Sequence, residues 1–272
     1  MVKIIEQYLQ SKTGHMDTCE DGVFVSGNYI AVIDGVTAKG KLLWEGKKSG
    51  RHARDVLLTS LENAAADFTA VECIEFLNAS LTAAYGALLE YAASHPTDRL
   101  QAGVILYSIA RQEIWSFGDC QCILNGALHD HAKKVDTINS EKRSAFLAQE
   151  VLAGKTEEEL MAHDTGRERI LPELENQMQY ANADGELGYD VLDGIFIRPE
   201  RTIVYPVPKG SVVVLASDGY PFLKTTLAES ETELALLLKT DRLLYRNYKS
   251  TKGLVKDAIS YDDRAYIRFL VD

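Results

Sequence analysis

Basic charge is scarce in this sequence. Its 29 lysines and arginines are outnumbered by 40 aspartates and glutamates, giving a net charge of −11 and a pI near 5.1. Gripping a nucleic-acid backbone needs a basic face, so the composition excludes a nucleic-acid partner, and any anionic ligand must be met by a local group of cations. Long apolar runs are missing too. Nowhere do about 18 apolar residues follow one another, which excludes a helical membrane span, and the opening Met1-Val2-Lys3-Ile4-Ile5-Glu6-Gln7 lacks the unbroken apolar core of a signal peptide. The expected location is cytoplasmic, with no membrane partner. The four cysteines, at 19, 73, 120 and 122, are too few and too scattered for a disulfide framework. Cys120 and Cys122 share one face of an expected strand, as do His129 and His131. No third nitrogen or sulfur donor stands nearby, so both pairs read as packing or surface residues rather than a soft-metal site. No internal repeat and no low-complexity tract divides the chain.

What is present is an ordinary core-forming composition, 46% hydrophobic and 25% charged, which argues against disorder. The 272 residues are read as one layered domain, 1–272. The chain is organised around Tyr29-Ile30-Ala31-Val32-Ile33-Asp34-Gly35, an apolar run that delivers a carboxylate into a turn. Such a run reads as a strand buried on both faces. The design recurs at Val212-Val213-Val214-Leu215-Ala216-Ser217-Asp218-Gly219 and is inverted near the end, where Asp262-Asp263 precedes the apolar strand 265–271. A single Asp-Gly is a weak signal, since the chain has five. Carboxylates that end or begin buried strands are costly unless a cation answers them. Oxygen-only clusters suit hard divalent ions, and this points to metal-assisted phosphate chemistry.

Taken in order, the sequence predicts a strand at 4–9, a hairpin of 23–25 with 29–33 that presents Glu20, Asp21 and Asp34 near one end, and a lysine-rich glycine loop over 36–50. A helix capped by Ser49 follows, then a longer one over 71–93. Strands at 103–108, 113–117, 121–124 and 127–131 read as an antiparallel meander turning at Arg111-Gln112 and Asn125-Gly126, with Gly118-Asp119 between the second and third. Polar helices fill 137–182. Strands return at 189–192 and 202–207, the latter with prolines that suit a sheet edge, then 212–216, helices near 232–239 and 242–248, and the last strand. This order implies an α+β fold, a four-layer α-β-β-α sandwich of two antiparallel sheets flanked by helices.

Glu20-Asp21, Asp34-Gly35, Gly118-Asp119, Leu215-Ala216-Ser217-Asp218-Gly219 and Asp262-Asp263 resemble, in order and rough spacing, the motifs of the metal-dependent PPM (type 2C) serine/threonine protein phosphatases. The resemblance spans nearly the whole chain and implies the same sandwich, with a binuclear Mn²⁺ or Mg²⁺ centre. It makes Asp34 the carboxylate that bridges both ions, Gly35 a carbonyl ligand, and Asp218 and Asp262 the holders of one ion, with Asp34 and Asp218 central to catalysis. Glu20 holds the other ion through water, Asp119 matches the place of a third, weaker ion, and Asp21 and Asp263 orient the cluster. The helices at about 137–182 take the place of the family's flap. The activity implied is hydrolysis of phosphomonoesters, phosphoserine or phosphothreonine in proteins or a small phosphoester, by a metal-activated water without a covalent intermediate.

The chain departs from that pattern on the substrate side. His15-Met16-Asp17-Thr18-Cys19 lacks the arginine that the family usually carries upstream of the glutamate. Val36-Thr37-Ala38-Lys39-Gly40 replaces its histidine or methionine and glycine pair, Leu100-Gln101-Ala102-Gly103 its Gly-Thr-Thr, and Asp262-Asp263 its Asp-Asn. Lys39 or Arg51, from the basic loop and the helix start, is expected to grip phosphate instead. Two alternatives stand beside the phosphatase: a pseudophosphatase serving as a regulatory binding module, and a hydrolase of a small phosphorylated metabolite.

Overall fold

The computed structural model describes residues 2–37 and 39–272; Met1 and Ala38 of the basic loop lie outside the described residues. The strands in chain order are β1 (Val2–Gln10), β2 (Asp21–Val25), β3 (Tyr29–Gly35), β4 (Ala102–Ser108), β5 (Glu113–Phe117), β6 (Gln121–Leu124), β7 (Ala127–His129), β8 (Ile203–Pro206), β9 (Val212–Ala216) and β10 (Arg264–Val271). They form two five-stranded sheets, ordered β1-β10-β9-β6-β7 and β2-β3-β4-β5-β8, and every pairing between neighbours is antiparallel.

β3 shows why a central strand can be apolar throughout. Its alternate residues Ile30 and Val32 face the second sheet and, with Ile105 of the neighbouring β4, meet Leu215, Ile267 and Phe269 in the inter-sheet core. Tyr29, Ala31 and Ile33 face outward, under α1 (Ser49–Glu62) and α2 (Ala70–Tyr85), against Leu57, Leu61, Ile74 and Leu77. Both faces are dry, and each fully buried Ile or Val contributes about 1.5–3 kcal/mol of transfer free energy. β9 is built alike, with Val213 and Leu215 inward and Val214 and Ala216 outward beside Tyr220 and Tyr266. Farther out, α8 (Leu227–Thr240) packs Leu234 and Leu237 on Leu244 and Tyr261. Helices, two sheets and helices thus give the four layers expected.

Several local expectations are corrected. Ser49 is the first helical residue of α1, not its cap, a place taken by Lys48 without a side-chain bond. The helix expected over 71–93 ends at Tyr85; the chain turns at Gly86 and resumes as the short α3 (Leu89–Ser94). Its true start is marked by a capping box, Thr69 accepting from the Glu72 N–H while Glu72 accepts from the Thr69 N–H. The meander is split. β4 and β5 pair in one sheet, and β6 and β7 in the other, because Gly118, at a φ of +119° that disfavours any side chain, turns the chain across the sandwich. Residues 189–192 make only isolated bridges, Ala102 with Leu192 and Ala181 with Tyr189. Residues 242–248 are turns wrapped around the buried Asp241, which accepts the N–H groups of Tyr245, Arg246 and Asn247. The helical stretch starts at 134: α4 (Lys134–Leu152), α5 (Glu157–Ala162), α6 (Thr165–Arg169) and α7 (Leu171–Asn176). No helix among the described residues is long and apolar enough to cross a membrane.

Candidate metal centre

Antiparallel pairing brings the charged strand ends to one edge. Asp21 opens β2 directly opposite Asp34 near the end of β3, and Gly103 of β4 lies opposite Asp34 on the other side. In the second sheet β9 runs out through Ser217, whose N–H donates to the Ala265 carbonyl at 3.1 Å, so Asp218 at the end of one strand lies beside Asp262 and Asp263 at the start of the other. The crossover from β5 to β6 adds Asp119. Asp21, Asp34, Gly35, Asp119, Asp218, Asp262 and Asp263 all line one cleft of about 220 Å³, together with Lys39, Lys133, Arg167 and Lys252.

Gly35 permits no substitute, since a Cβ there would lie 2.4 Å from the Gly50 carbonyl oxygen and 2.6 Å from that of Glu20. This contact seats the start of α1 on the end of β3 and brings Glu20 alongside. Asp263, 2% exposed, accepts the Glu20 N–H on one oxygen at 2.9 Å and the Lys12 N–H on the other at 2.8 Å, so it fixes the backbone that carries Glu20. The Glu20 side chain accepts from Thr37 Oγ1 at 2.9 Å on Oε2. Glu20 Oε1 and Asp21 Oδ2 are buried and have no donor, although a buried carboxylate oxygen ordinarily finds one.

The electrostatics follow from crowding. Burial, and then the neighbouring Asp262, push the Asp21 carboxyl well above the usual carboxylate range, against a hydrogen bond from Ser217. Burial and Asp21 do the same to Asp34. Asp218 is accessible from the cleft yet walled by protein on its other sides, and desolvation with Asp34 raises it as well. Asp262 goes the other way: burial would raise it, but Lys252 and Lys12 outweigh that and hold it ionised.

Three lysines answer this charge. Lys12 Nζ stands 3.3 Å from Glu20, 3.4 Å from Asp262 and 3.5 Å from Asp263; burial alone would depress its pKa, but these carboxylates hold it above the ordinary lysine range. Lys252 pairs with Asp262, and Lys133 with Asp119 at 2.5 Å. Among the described residues no three carboxylate, imidazole or thiol side chains are gathered ready to coordinate an ion. The ammonium groups take several of the oxygens a cation would need. The donor set still fits hard divalent ions: carboxylates only, two buried oxygens without donors, and a glycine carbonyl beside them.

The structure brings the expected acidic residues together and separates the two expected phosphate ligands. Lys39 lines the cleft, its Nζ donating to the Thr37 carbonyl at 2.8 Å. Arg51 does not reach it. Its guanidinium donates to the Met16 and Cys19 carbonyls at 2.9 and 3.1 Å and pairs with Asp55, because the first turn of α1 is spent holding the segment that leads to Glu20. Lys12, Lys133, Arg167 and Lys252 were missed by sequence reasoning. They lie on separate segments, and no local pattern marks them. The four cysteines are free and buried. His131 bonds the Cys120 carbonyl and Tyr205, as a packing residue does.

No protein-family model and no curated relative matches the sequence. Solved structures do. The Mycobacterium tuberculosis serine/threonine phosphatase PstP/Ppp is similar over 100% of this chain and 99% of that one, at 15% identity and a TM-score of 0.50. The catalytic domain of the serine/threonine protein phosphatase PstP in complex with two manganese ions matches over the same shares at 16% identity and a TM-score of 0.50. PppA, a regulatory component of the type VI secretion system (T6SS) in Pseudomonas aeruginosa, matches over 100% and 98% at 12% identity and 0.51. From end to end, the chain therefore has the fold of the bacterial serine/threonine phosphatases.

Proposed function

We propose that the chain is a cytoplasmic, metal-dependent phosphatase of the PPM type that hydrolyses phosphomonoesters, with phosphoserine and phosphothreonine in proteins as its substrate class. One observation carries this reading: the strand-end cleft of this fold collects Asp21, Asp34, Asp119, Asp218 and Asp262 while buried oxygens of Glu20 and Asp21 have no donor. Asp34, the Gly35 carbonyl, Asp218, Asp262 and Glu20 would hold two Mn²⁺ or Mg²⁺ ions, and Asp119 a third, weaker one. When bound, such ions acidify water and stabilise charge on phosphoryl oxygens. Asp263 holds the Glu20 backbone in place, Asp21 orients the cluster from beneath, and the Lys39 ammonium meets the phosphate.

A second reading draws on the lysines. Lys12, Lys133 and Lys252 already neutralise Glu20, Asp262, Asp263 and Asp119, which suits a pseudophosphatase that keeps the fold as a binding module. Calorimetric titration with Mn²⁺ or Mg²⁺, run beside hydrolysis of an aryl phosphate with and without chelator, separates the two. The phosphatase binds metal and turns over only with it. Binding without turnover selects the pseudophosphatase, and no binding at all removes the metal centre.

A further inference from the structure

The acidic floor of the cleft faces a group of cations that the proposed metal centre does not use. Lys39 and Arg167 line the same cavity as Asp34 and Asp218, with Lys252 beside them. Lys252 is paired with Asp262. Among the described residues neither Lys39 nor Arg167 forms an ion pair; each donates to one carbonyl, Lys39 to that of Thr37 at 2.8 Å and Arg167 to that of Thr251 at 2.7 Å. Most of their donors remain for something else. Bringing such cations together is unfavourable in itself. Burial, and then Arg167 and Lys252, push the Lys39 ammonium down to about 7, and burial lowers Arg167 too. An anion between them removes that repulsion.

The arrangement is held rigidly. Arg143 of α4, fully buried, donates to Asp164 at 2.6 Å and to the carbonyls of Leu243, Leu244 and Ser250 at 2.9, 3.2 and 2.9 Å. Asp164 in turn caps α6 by accepting the Arg167 N–H at 2.8 Å. One buried guanidinium thus ties the helix that carries Arg167 to the loop that carries Thr251 and Lys252. Arg143 is a positioning residue, and Arg167 is what it positions.

We propose that Arg167 and Lys39 form the subsite that grips the dianionic phosphate group, so that the arginine absent from residues 15–19 is replaced from the helical segment and from the basic loop. The substrate, a phosphomonoester, rests on the phosphatase reading; the binding of phosphate does not.

The probe is inorganic phosphate, titrated calorimetrically into the Mg²⁺-equilibrated full chain and into its Arg167→Ala, Lys39→Ala and double variants. Losing a charge-assisted donor should weaken phosphate binding roughly 10- to 100-fold, while Mg²⁺ affinity stays within about twofold. If wild type turns over an aryl phosphate, KM and the inhibition constant for phosphate should rise in parallel. If it does not, the phosphatase reading fails and the phosphate titration still decides the subsite. Arg167→Gln keeps a donor for the Thr251 carbonyl without the charge, so it decides the question should Arg167→Ala unfold. Wild type that binds no phosphate, or folded variants that bind it as wild type does, would overturn the proposal.

Discussion

The floor and the wall of the cleft are built differently. Floor carboxylates sit where strands end: Asp34 is locked opposite both Asp21 and Gly103 by ladder register, and Asp218 follows a strand with both faces buried. Moving any of them means moving a sheet. The wall cations hang from a loop and from a short helix: Lys39, four residues past Gly35, donates to the Thr37 carbonyl, and Arg167 on the five-residue α6 stands where it does because the buried Arg143 joins the helical segment to residues 243–250. Rigid sheets hold charges that repel one another, whereas a clamp of side chains and carbonyls holds the opposite sign. It follows that metal affinity and anion affinity should be separable by mutation, the first failing with the floor and the second with the wall.

The sharpest break is Asp34→Asn. The amide keeps the shape of the strand end but removes the charge proposed to bridge two ions. Turnover of an aryl phosphate should fall by more than about 100-fold, beyond what loss of an outer-shell partner ordinarily costs. The fold should survive, and the chelator-treated variant should melt no lower than wild type, because burial and the neighbouring Asp21 make that carboxylate unfavourable without an ion. Near-normal turnover in Asp34→Asn would remove the bridging role.

The same contrast explains what the sequence discloses. Runs such as Tyr29-Ile30-Ala31-Val32-Ile33 and Val212-Val213-Val214-Leu215-Ala216 are apolar because both faces are covered, and that burial leaves its mark on consecutive residues. An Asp-Gly at the end of such a run is visible for the same reason, so the sandwich and the acidic floor are legible. The wall is not. Lys12, Lys252 and Arg167 matter only through partners about 8 to 250 residues away, such as Lys12 with Glu20 and Asp262, and a lone lysine carries no periodicity. Where tertiary contacts overrode local pattern, local reading failed. Strands that look like one meander are shared between two sheets at Gly118, residues 189–192 bridge without forming a ladder, and 242–248 coil around Asp241 instead of forming a helix.

Asp263→Asn probes the layer beneath the floor. Each carboxylate oxygen accepts one backbone N–H, from Glu20 and from Lys12, whereas an amide can accept at only one and turns a donor toward the other. A buried N–H left without an acceptor costs about 1–3 kcal/mol, and divalent-ion affinity should drop roughly 10- to 100-fold, as for other residues that orient ligands. Isothermal titration with Mn²⁺ reads the second effect and urea unfolding the first. If phosphate affinity fell while Mn²⁺ affinity held, floor and wall would not be independent.

The gentlest test is pH. A carboxyl whose pKa is raised on folding keeps a proton that the unfolded chain gives up, so its contribution to stability is complete below the unfolded value near 3.9. That contribution declines as pH climbs through the raised folded value, by about 1.4 kcal/mol per pH unit for each proton in question. Asp21 and Asp34 are such groups; Asp218 adds less, because its carboxylate opens to the cleft and is screened. Asp262, held low against its burial by Lys252 and Lys12, has the opposite sign, its contribution being lost as acid protonates it. Asp262 is ionised in both states above about pH 5 and adds no slope there, whereas Lys39, its ammonium pushed down to about 7 by burial, Arg167 and Lys252, works against the aspartates once pH passes that value. The chelator-treated protein should therefore melt at progressively lower temperature as pH is raised from about 5 to about 7. Excess Mn²⁺ should reverse the slope, since ligands must shed their protons to hold the ion and binding tightens with pH. Differential scanning fluorimetry across that range, with and without metal, reads both slopes. A chelator-treated melting point that rises with pH would mean that Lys12, Lys133 and Lys252 already neutralise the floor, these lysines doing the work assigned to the ions.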